Sequence, residues 1–216
     1  MLRVNTSRRR SWGPSSSTVP LVGAERRNNG WMALLPDRLS SGDIYLRRWR
    51  PEMIDEMLEA VESSQVELRF WMPWAQGTPS REELVKVLTN GHELFDANKE
   101  WNYALFENSS GDLLGAGGLH YVEDPDRPEI GYWVRSDRTG RGYATAAARA
   151  LADAAFRYLP DVRTVKIRMD QANVASAAVP PKLGFRLLKE EEREIETEGH
   201  TGKGFVWVLD REGSPT

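Results

Sequence analysis

A strand, a glycine turn and an alanine-rich helix follow one another in the middle of the chain, and this unit constrains the fold more than any other feature. Residues 129–134 read as a strand, residues 140–142 form a Gly-Arg-Gly turn, and small apolar residues then recur at helical spacing over residues 144–159. A helix with such a narrow apolar stripe must lie close against a sheet. The sequence therefore predicts an α/β protein.

The same turn is a candidate phosphate site. The first amides of a helix point outward and carry partial positive charge, and glycines let the backbone approach an anion without a Cβ in the way. Arg138 and Arg141 add positive charge nearby. No Lys-Ser/Thr pair follows the glycines, and Thr145 stands in place of the third glycine of the dinucleotide fingerprint, so neither of those motifs is present. A plain turn with two glycines is the alternative.

The elements around this unit predict a mixed sheet. A strand over residues 43–49 precedes two helices, and the second helix starts at Ser80 with Glu83 in the capping-box position. Residues 67–79, between those helices, are aromatic and interrupted by proline, which predicts a loop or short turns. The predicted order is β-α-α-β-β-β-α-β-α-β-β, with a mostly antiparallel sheet at the front and parallel crossings behind. The other predicted strands cover residues 101–106, 113–122, 165–169 and 205–209 and a segment that starts at Phe185.

Composition excludes several classes of protein. The chain of 216 residues has no cysteine, which rules out disulfides, thiolate metal sites and thiol nucleophiles. Its 29 Lys and Arg against 32 Asp and Glu give a net charge of -3, which argues against a dedicated nucleic-acid binder. No run of eighteen apolar residues is present, so we predict no membrane-spanning helix and expect a cytoplasmic protein.

Residues 1–33 predict a disordered basic extension ahead of one domain over residues 34–212. Residues 1–30 hold six Arg and one acidic residue, and they lack the apolar stretch of a secretory signal. Their Ser and Arg content faintly resembles that of an organelle transit peptide. Translation that truly begins at Met32, or a basic arm that touches RNA, would also account for this composition.

Three segments resemble the GNAT N-acetyltransferase superfamily, in particular its RimJ/RimL-type branch. The glycine turn is similar to the R/Q-x-x-G-x-G/A loop of the superfamily: Gly142 and Ala144 match its last two fixed positions, whereas Thr139 stands where Arg or Gln is commonest. Residues 173–185 resemble the N-x-x-S-x-x-V-x-x-K-L-G-F element of that branch. The Trp-Met-Pro-Trp stretch at residues 71–74 is similar to a loop of ribosomal-protein-serine acetyltransferases.

The resemblance implies a GNAT fold, with a central, mixed and mostly antiparallel sheet of six or seven strands. About four helices flank this sheet, which is split between its fourth and fifth strands. The resemblance also implies acetyl-CoA as the acetyl donor and no metal. Backbone groups of Tyr132, Trp133 and Val134 would hold the pantetheine arm as an added strand, and the Asn173 side chain would hydrogen-bond it. The residues that would hold the diphosphate are Gly140, Arg141, Gly142, Tyr143, Ala144 and Thr145.

Amide formation from a thioester requires groups that move protons. Without cysteine, direct transfer in a ternary complex is favoured over an acyl-enzyme. By the resemblance, Ser176 is the candidate donor to the leaving thiolate, and a helix N-cap is its alternative role. Glu129 starts the strand that would carry the thioester and is the candidate general base, with a solvated strand-end carboxylate as the alternative. His120 also ends a strand and titrates in the useful range, so His120 or water could replace Glu129 as the base.

The sequence leaves the acceptor open. Trp71, Trp74 and Trp101 are candidate walls of its pocket, with ordinary core packing as the alternative. We expect an acetyl-CoA-dependent N-acetyltransferase that acts on a protein N-terminus, such as that of a ribosomal protein, or on a small amine such as a polyamine or aminoglycoside. A GNAT-fold sensor that binds an acyl-CoA or small ligand without transfer is the competing hypothesis. Exposed tryptophans would suit a homodimer. The Pro180-Pro181 pair predicts a short, kinked or 3₁₀-like helix ahead of Gly184.

Overall fold

The computed structural model describes residues 35–121 and 127–212, so the extension predicted for residues 1–33 lies outside the described chain. Within these ranges one sheet has eight strands: β1 (Arg38–Ser41), β2 (Ile44–Arg48), β3 (Glu100–Glu107), β4 (Leu113–His120), β5 (Glu129–Val134), β6 (Thr164–Asp170), β7 (Arg186–Glu192) and β8 (Lys203–Asp210). The same ranges hold five α-helices: α1 (Ile54–Glu62), α2 (Gln65–Trp71), α3 (Arg81–Asp96), α4 (Tyr143–Tyr158) and α5 (Val174–Ala177). None of these described helices is long and apolar enough to cross a lipid bilayer.

The sheet is mixed and mostly antiparallel, as the sequence predicts. Its order is β1-β2-β3-β4-β5-β6-β8-β7, and among the described strands β5 and β6 are the neighbours that run parallel. These two strands share one register pair in the described chain, Glu129 with Lys166, and the Lys166 amide also donates to Pro128 O at 3.0 Å. Toward Val134 they diverge. This opening is the predicted split, because β5 is the fourth of the strands that the sequence predicts.

The described chain has more strands and helices than the sequence predicts. The additional strand is β1, which pairs with β2 through a hairpin. Since β1 has four residues and is mostly polar, it offers no alternation long enough to indicate a strand. The additional helix is α2, which occupies part of the segment 67–79 that the sequence predicts to be a loop or short turns. Pro73 does not prevent this helix, because the helix ends at Trp71 and the proline begins a separate 3₁₀ turn, Pro73–Ala75.

Helices cover both faces of the sheet and create two hydrophobic clusters. On one face, α4 buries small side chains such as Ala147, together with Leu151, and therefore lies close to the strands. On the other face, α1 and α3 bury Val61 and Leu88 against the sheet. The predicted capping box is present at the start of α3. We refer to the two sides of the sheet as the α4 face and the α1 face.

Glycines in β4 allow contacts that a side chain would block. A Cβ on Gly115, whose φ is +149°, would lie 2.1 Å from Trp133 O of β5. A Cβ on Gly118 would lie 2.6 Å from Asn102 Oδ1 of β3. The register between β3 and β4 shifts next to Gly115. The glycines therefore mark a bend and a close approach, which is the condition under which glycine-rich strands are stable.

The helix predicted ahead of Gly184 is short and broken, as its two prolines require. The last α-helical residue is Ala177, and a 3₁₀ turn follows over Pro180–Leu183. Gly184 then takes a left-handed φ of +81° and ends the turn. The break confirms the prediction made from the proline pair.

Candidate functional site

Residues 135–142, which we call the glycine loop, connect the open end of β5 to α4. Gly140 and Gly142 have φ values of +74° and +83°, a region that other residues adopt only at a cost. Gly142 is the N-cap of α4 and supplies no side chain to cap it, and Ala146 N donates to Gly142 O at 3.0 Å. The amides ahead of that bond belong to Tyr143, Ala144 and Thr145. Because helix geometry leaves these amides without an intrahelical acceptor, they form a candidate anion site.

Acidic side chains from neighbouring elements hold two of the loop's arginines. Arg135 donates to Glu59 of α1 at 3.1 Å. Arg138 donates to Asp112, the residue before β4, at 2.8 Å. These two arginines fix the loop to the body of the protein, whereas Arg141 is exposed, directly precedes the free amides in the chain and has Tyr143 as its side-chain hydrogen-bond partner. Arg141 is thus the arginine of the loop best placed to meet an anion.

A hydrogen bond from Tyr143 anchors the first turn of α4 to the end of β3. Tyr143 OH donates to Glu107 Oε1, and Ser110 Oγ donates to Glu107 Oε2 at 2.8 Å. The bond from Tyr143 is the main cause that lowers the pKa of the Glu107 carboxyl, with a further contribution from Ser110. The same bond raises the pKa of Tyr143. The start of the helix is therefore attached to the sheet through a charge-assisted hydrogen bond.

Two side-chain contacts join β5 to β6 and to the helix after β6, one on each face of the sheet. On the α4 face, Tyr132 OH lies 3.1 Å from Ser176 Oγ and 3.4 Å from Ser176 O. On the α1 face, Arg168 Nε donates to Glu129 Oε2 at 2.7 Å. Tyr132 and Glu129 belong to β5, whereas Arg168 and Ser176 belong to β6 and to the helix that follows it. The two candidate catalytic residues, Glu129 and Ser176, therefore border the gap between β5 and β6 from opposite faces.

Asn173, and not Ser176, is the N-cap of α5. Its Oδ1 accepts a hydrogen bond from Ser176 N at 3.0 Å. The hydroxyl of Ser176 contacts Tyr132 instead. Burial raises the pKa of Tyr132 to about 12, although its bond with Ser176 works in the opposite direction. The phenol therefore keeps its proton at neutral pH.

Glu129 belongs to a partly buried network of charged side chains on the α1 face. It pairs in register with His120, whose Nδ1 lies 3.6 Å from Glu100 Oε2. Arg168, which holds Glu129, also lies 3.7 Å from Glu191 Oε1 of β7. The side chain of Glu129 is 18% exposed, so it differs from a solvated strand-end carboxylate. Neither this network nor any other group of three or more acidic or histidine side chains in the described ranges is arranged to hold a metal ion.

The three tryptophans considered as pocket walls do not lie together. Trp101 is 1% exposed and belongs to the core on the α4 face. Trp74 packs on the α1 face against Trp133, with ring centroids 6.5 Å apart. Trp71 is half-buried at the end of α2. Trp74 therefore shares a face with Glu129, whereas core packing accounts for Trp101.

The loop between β7 and β8, residues 193–202, docks on the end of α2, and the sequence does not predict this contact. Gly199 N donates to Phe70 O at 3.0 Å, and a Cβ on Gly199 would lie 2.5 Å from the same oxygen. His200 Nε2 lies 3.1 Å from Trp71 O. The sequence carries no signal for this contact, because its two sides are more than a hundred residues apart.

Asp170 at the end of β6 links this β7–β8 loop to the segment that leads to α5. Its Oδ1 accepts from Ala172 N at 2.9 Å and from Thr201 Oγ1 at 2.8 Å, and its Oδ2 accepts from Thr201 N at 2.9 Å. Burial raises the pKa of this carboxyl, but the three hydrogen bonds outweigh burial and the net effect lowers the pKa. Asp170 is 4% exposed and holds both segments at once.

Comparison with known proteins gives consistent results. The family profile described as "Acetyltransferase (GNAT) domain" matches residues 43–186. The Bacillus subtilis (strain 168) protein YdaF, whose assignment as a ribosomal N-acetyltransferase is itself provisional, is 29% identical over 145 residues, which are 66% of this chain and 77% of YdaF. A RimL ribosomal-protein α-N-acetyltransferase in complex with coenzyme A superposes with a TM-score of 0.73 at 20% identity, and the match covers 84% of this chain and 99% of that one. Mycobacterium smegmatis RimJ in complex with CoA-disulfide has a TM-score of 0.71 at 21% identity, with 83% and 88% covered.

Proposed function

The chain belongs to the GNAT acetyltransferase family, and we propose that it transfers an acetyl group from acetyl-CoA to the α-amine of a protein N-terminus, such as that of a ribosomal protein. One observation carries the proposal. The gap between β5 and β6 opens beside the free amides of α4, and a hydroxyl and a carboxylate border it from opposite faces. An elongated donor with a diphosphate at one end and a thioester at the other matches this arrangement.

The donor would place its diphosphate at the start of α4 and its pantetheine arm in the gap. Helix N-terminal amides bind such anions, and Arg141 adds positive charge. Residues 132–134 pair with β4 on one side and diverge from β6 on the other, so the amides of the arm can add to the sheet as an extra strand. Asn173 uses its side-chain carbonyl as the helix cap, which leaves its NH₂ group for the arm.

The amine must lose a proton as it attacks the thioester carbonyl. Glu129 is the proposed proton acceptor, because Arg168 holds its carboxylate beside the gap on the α1 face. Backbone amides of β5 would stabilise the negative charge that develops on the carbonyl oxygen. The C–N bond forms and the C–S bond breaks, and Ser176 donates a hydrogen bond to the sulfur as it gains charge. The released thiolate then takes up a proton from solvent.

The proposed acceptor class is supported by the relatives and by elementary acid–base chemistry. YdaF and RimL are both named for ribosomal or ribosomal-protein acetylation. An α-amine has a pKa of about 8 and a lysine side chain one of about 10.4, so an N-terminus is more easily deprotonated near neutral pH. Trp74 and the contact between α2 and the β7–β8 loop would border the acceptor on the α1 face.

A thiol-release assay with acetyl-CoA and a panel of acceptors tests the proposal. Peptides that begin with Ser or Ala are compared with the same peptides blocked at the N-terminus, with spermidine and with an aminoglycoside. We expect CoA release and N-terminal acetylation with the free peptides and neither with the blocked ones. Release with the small amines alone would change the acceptor class. Calorimetric binding of CoA without release for any acceptor would support the competing hypothesis of a non-catalytic acyl-CoA sensor.

A further inference from the structure

We propose that the side chain of Tyr132 is a positioning residue that directs the hydroxyl of Ser176 toward the thioester sulfur. This inference rests on the proposed function, in which the backbone of Tyr132 and the hydroxyl of Ser176 already have roles but the phenol has none. The observation that carries it is the 3.1 Å contact between Tyr132 OH and Ser176 Oγ, which joins β5 to the helix after β6 on the α4 face.

Both ends of this hydrogen bond are fixed by contacts of their own. The backbone of Tyr132 pairs with Gly117 of β4, and its ring packs against the core on the α4 face. The backbone of Ser176 is held by the Asn173 cap. The two residues are 44 positions apart in the chain, so the bond is purely tertiary. The fold therefore brings the two hydroxyls together at the side of the gap where the sulfur is proposed to lie.

The chemistry of the two hydroxyls sets the direction of the bond. A phenol is a better donor than an alkyl hydroxyl, and Ser176 O, 3.4 Å from Tyr132 OH, is a second acceptor on the same residue, so we assign the donor role to Tyr132. A serine within a helix commonly turns its own proton back toward a carbonyl three or four residues earlier. Donation from Tyr132 holds the Ser176 oxygen as an acceptor beside the gap. The Ser176 proton is then available for the sulfur.

The arrangement gives Tyr132 a part in the transfer step without a change in its protonation. The amine nitrogen bonds to the acetyl carbon, and the C–S electron pair moves to sulfur. Ser176 donates its hydrogen bond to that sulfur, and the bond from Tyr132 polarises the Ser176 O–H group. The amine gives one proton to Glu129 or to water, and the CoA thiolate later takes one proton from solvent. The proton count therefore balances, with both hydroxyls intact at the end.

The first test compares Y132F with the matched variant Y103F. Tyr103 is a buried tyrosine on the same face of the sheet, and its OH donates to Pro36 O at 3.0 Å. Loss of one hydrogen bond should lower kcat of Y132F about tenfold. The Kd for CoA and the KM for acetyl-CoA should change by less than about twofold, because the phenol is not proposed to contact acetyl-CoA. Y103F should lower Tm by about as much as Y132F does, and it should leave kcat unchanged. An equal effect of both variants on kcat would assign Tyr132 a structural role only.

A double-mutant cycle separates this proposal from the proposed function. S176A should lower kcat about a hundredfold, since it removes the donor to the leaving sulfur. The double variant Y132F/S176A should be no slower than S176A, because Tyr132 acts through Ser176. The role of Tyr132 would be overturned if the losses in kcat of the two single variants multiplied in the double variant. It would also be overturned if S176A lowered kcat and Y132F did not. Either result would leave the proposed function standing. A wild-type protein that binds CoA but releases no thiol would overturn both.

Discussion

The glycine loop and the contact between α2 and the β7–β8 loop are two parts of one proposed site that are built in different ways. The glycine loop is a single run of chain whose path is set by Gly140 and Gly142, and it presents main-chain amides. The second contact joins segments that are 129 residues apart at Trp71 and His200. A donor that is the same in every turnover can be bound by backbone groups of a local motif. The proposed acceptor side, by contrast, depends on segments that only the completed fold brings together.

Glu129 lies between these two parts, and its replacement is expected to have the largest effect. The amide in E129Q has no negative charge and accepts no proton, so kcat should fall about a hundredfold while the Kd for CoA is retained. E192Q, on the exposed strand β7, is the matched control and should leave kcat unchanged. Steady-state kinetics and calorimetry measure both quantities. If kcat of E129Q equalled that of the wild type, His120 or water would be the group that accepts the proton of the amine.

The next largest effect should follow from a substitution in the glycine loop, which is proposed to bind acetyl-CoA. An alanine at position 142, where φ is +83°, is strained by about 1–2 kcal/mol, so the affinity for CoA in G142A should fall about tenfold. The KM for the acceptor should not change. Gly42 also has a positive φ, +56°, and open space around it, and G42A therefore carries comparable strain in the β1–β2 turn. If CoA binding weakened in both variants, or in neither, the glycine loop would not be the binding site for acetyl-CoA.

A substitution on the proposed acceptor side should change the KM for the acceptor and not the affinity for CoA, and the change should be smaller than that expected for G142A. In G199A the new Cβ would lie 2.5 Å from Phe70 O, so the β7–β8 loop must move away from α2. We expect the KM for the acceptor to rise about fivefold and the Kd for CoA to be unchanged. G77A is the matched control, because a Cβ on Gly77 meets no atom within 4 Å. An unchanged acceptor KM in G199A, with only a lower Tm, would mean that this contact is structural.

The smallest effect on catalysis is expected from a substitution at Asp170. There the measured quantity is the free energy of unfolding as a function of pH. The pKa of Asp170 in the folded protein is lowered from the ordinary 3.8, so its carboxylate stabilises the fold above that value and the contribution is lost as the pH falls through the folded pKa. D170N turns an amide toward backbone N–H donors, which should lower the free energy of unfolding at pH 7 by about 1–3 kcal/mol. The deficit relative to the wild type should shrink below about pH 4.

Denaturant titrations at pH 7 and pH 3 measure this deficit, and D161N, at an exposed position, is the control. A deficit in D170N that is equal at both pH values would show that the charge of Asp170 does not stabilise the fold.

The features that the sequence predicts correctly depend on residues close together in the chain. The glycine turn before α4, the capping box of α3 and the break after Ala177 each follow from a short pattern with one physical meaning. The two missed elements lacked such a pattern. Strand β1 is too short to show alternation, and the aromatic and proline content of residues 67–79 concealed the helix that ends at Trp71.

The contacts of the site could be predicted only in part, because most of them are tertiary. Ser176 and Glu129 are visible as chemically suitable side chains: the resemblance indicates the role of Ser176, and the position of Glu129 at the start of its strand indicates that of Glu129. Their partners are not visible, since Arg168 reads as an ordinary polar position of a strand and lies 39 residues from Glu129 in the chain. The side chain of Tyr132 is likewise hidden, because the resemblance assigns a role only to its backbone.

Because β5 and β6 share a single register pair, the described sheet has a part of five strands and a part of three, and backbone pairing joins them at Glu129 and Lys166. Past that pair, β5 and β6 share no further register pair in the described chain. Side chains connect the two parts as well, through Tyr132 with Ser176, through Arg168 with Glu129 and through the core on the α4 face. The width of the opening past Glu129 is therefore set by tertiary packing and not by backbone pairing.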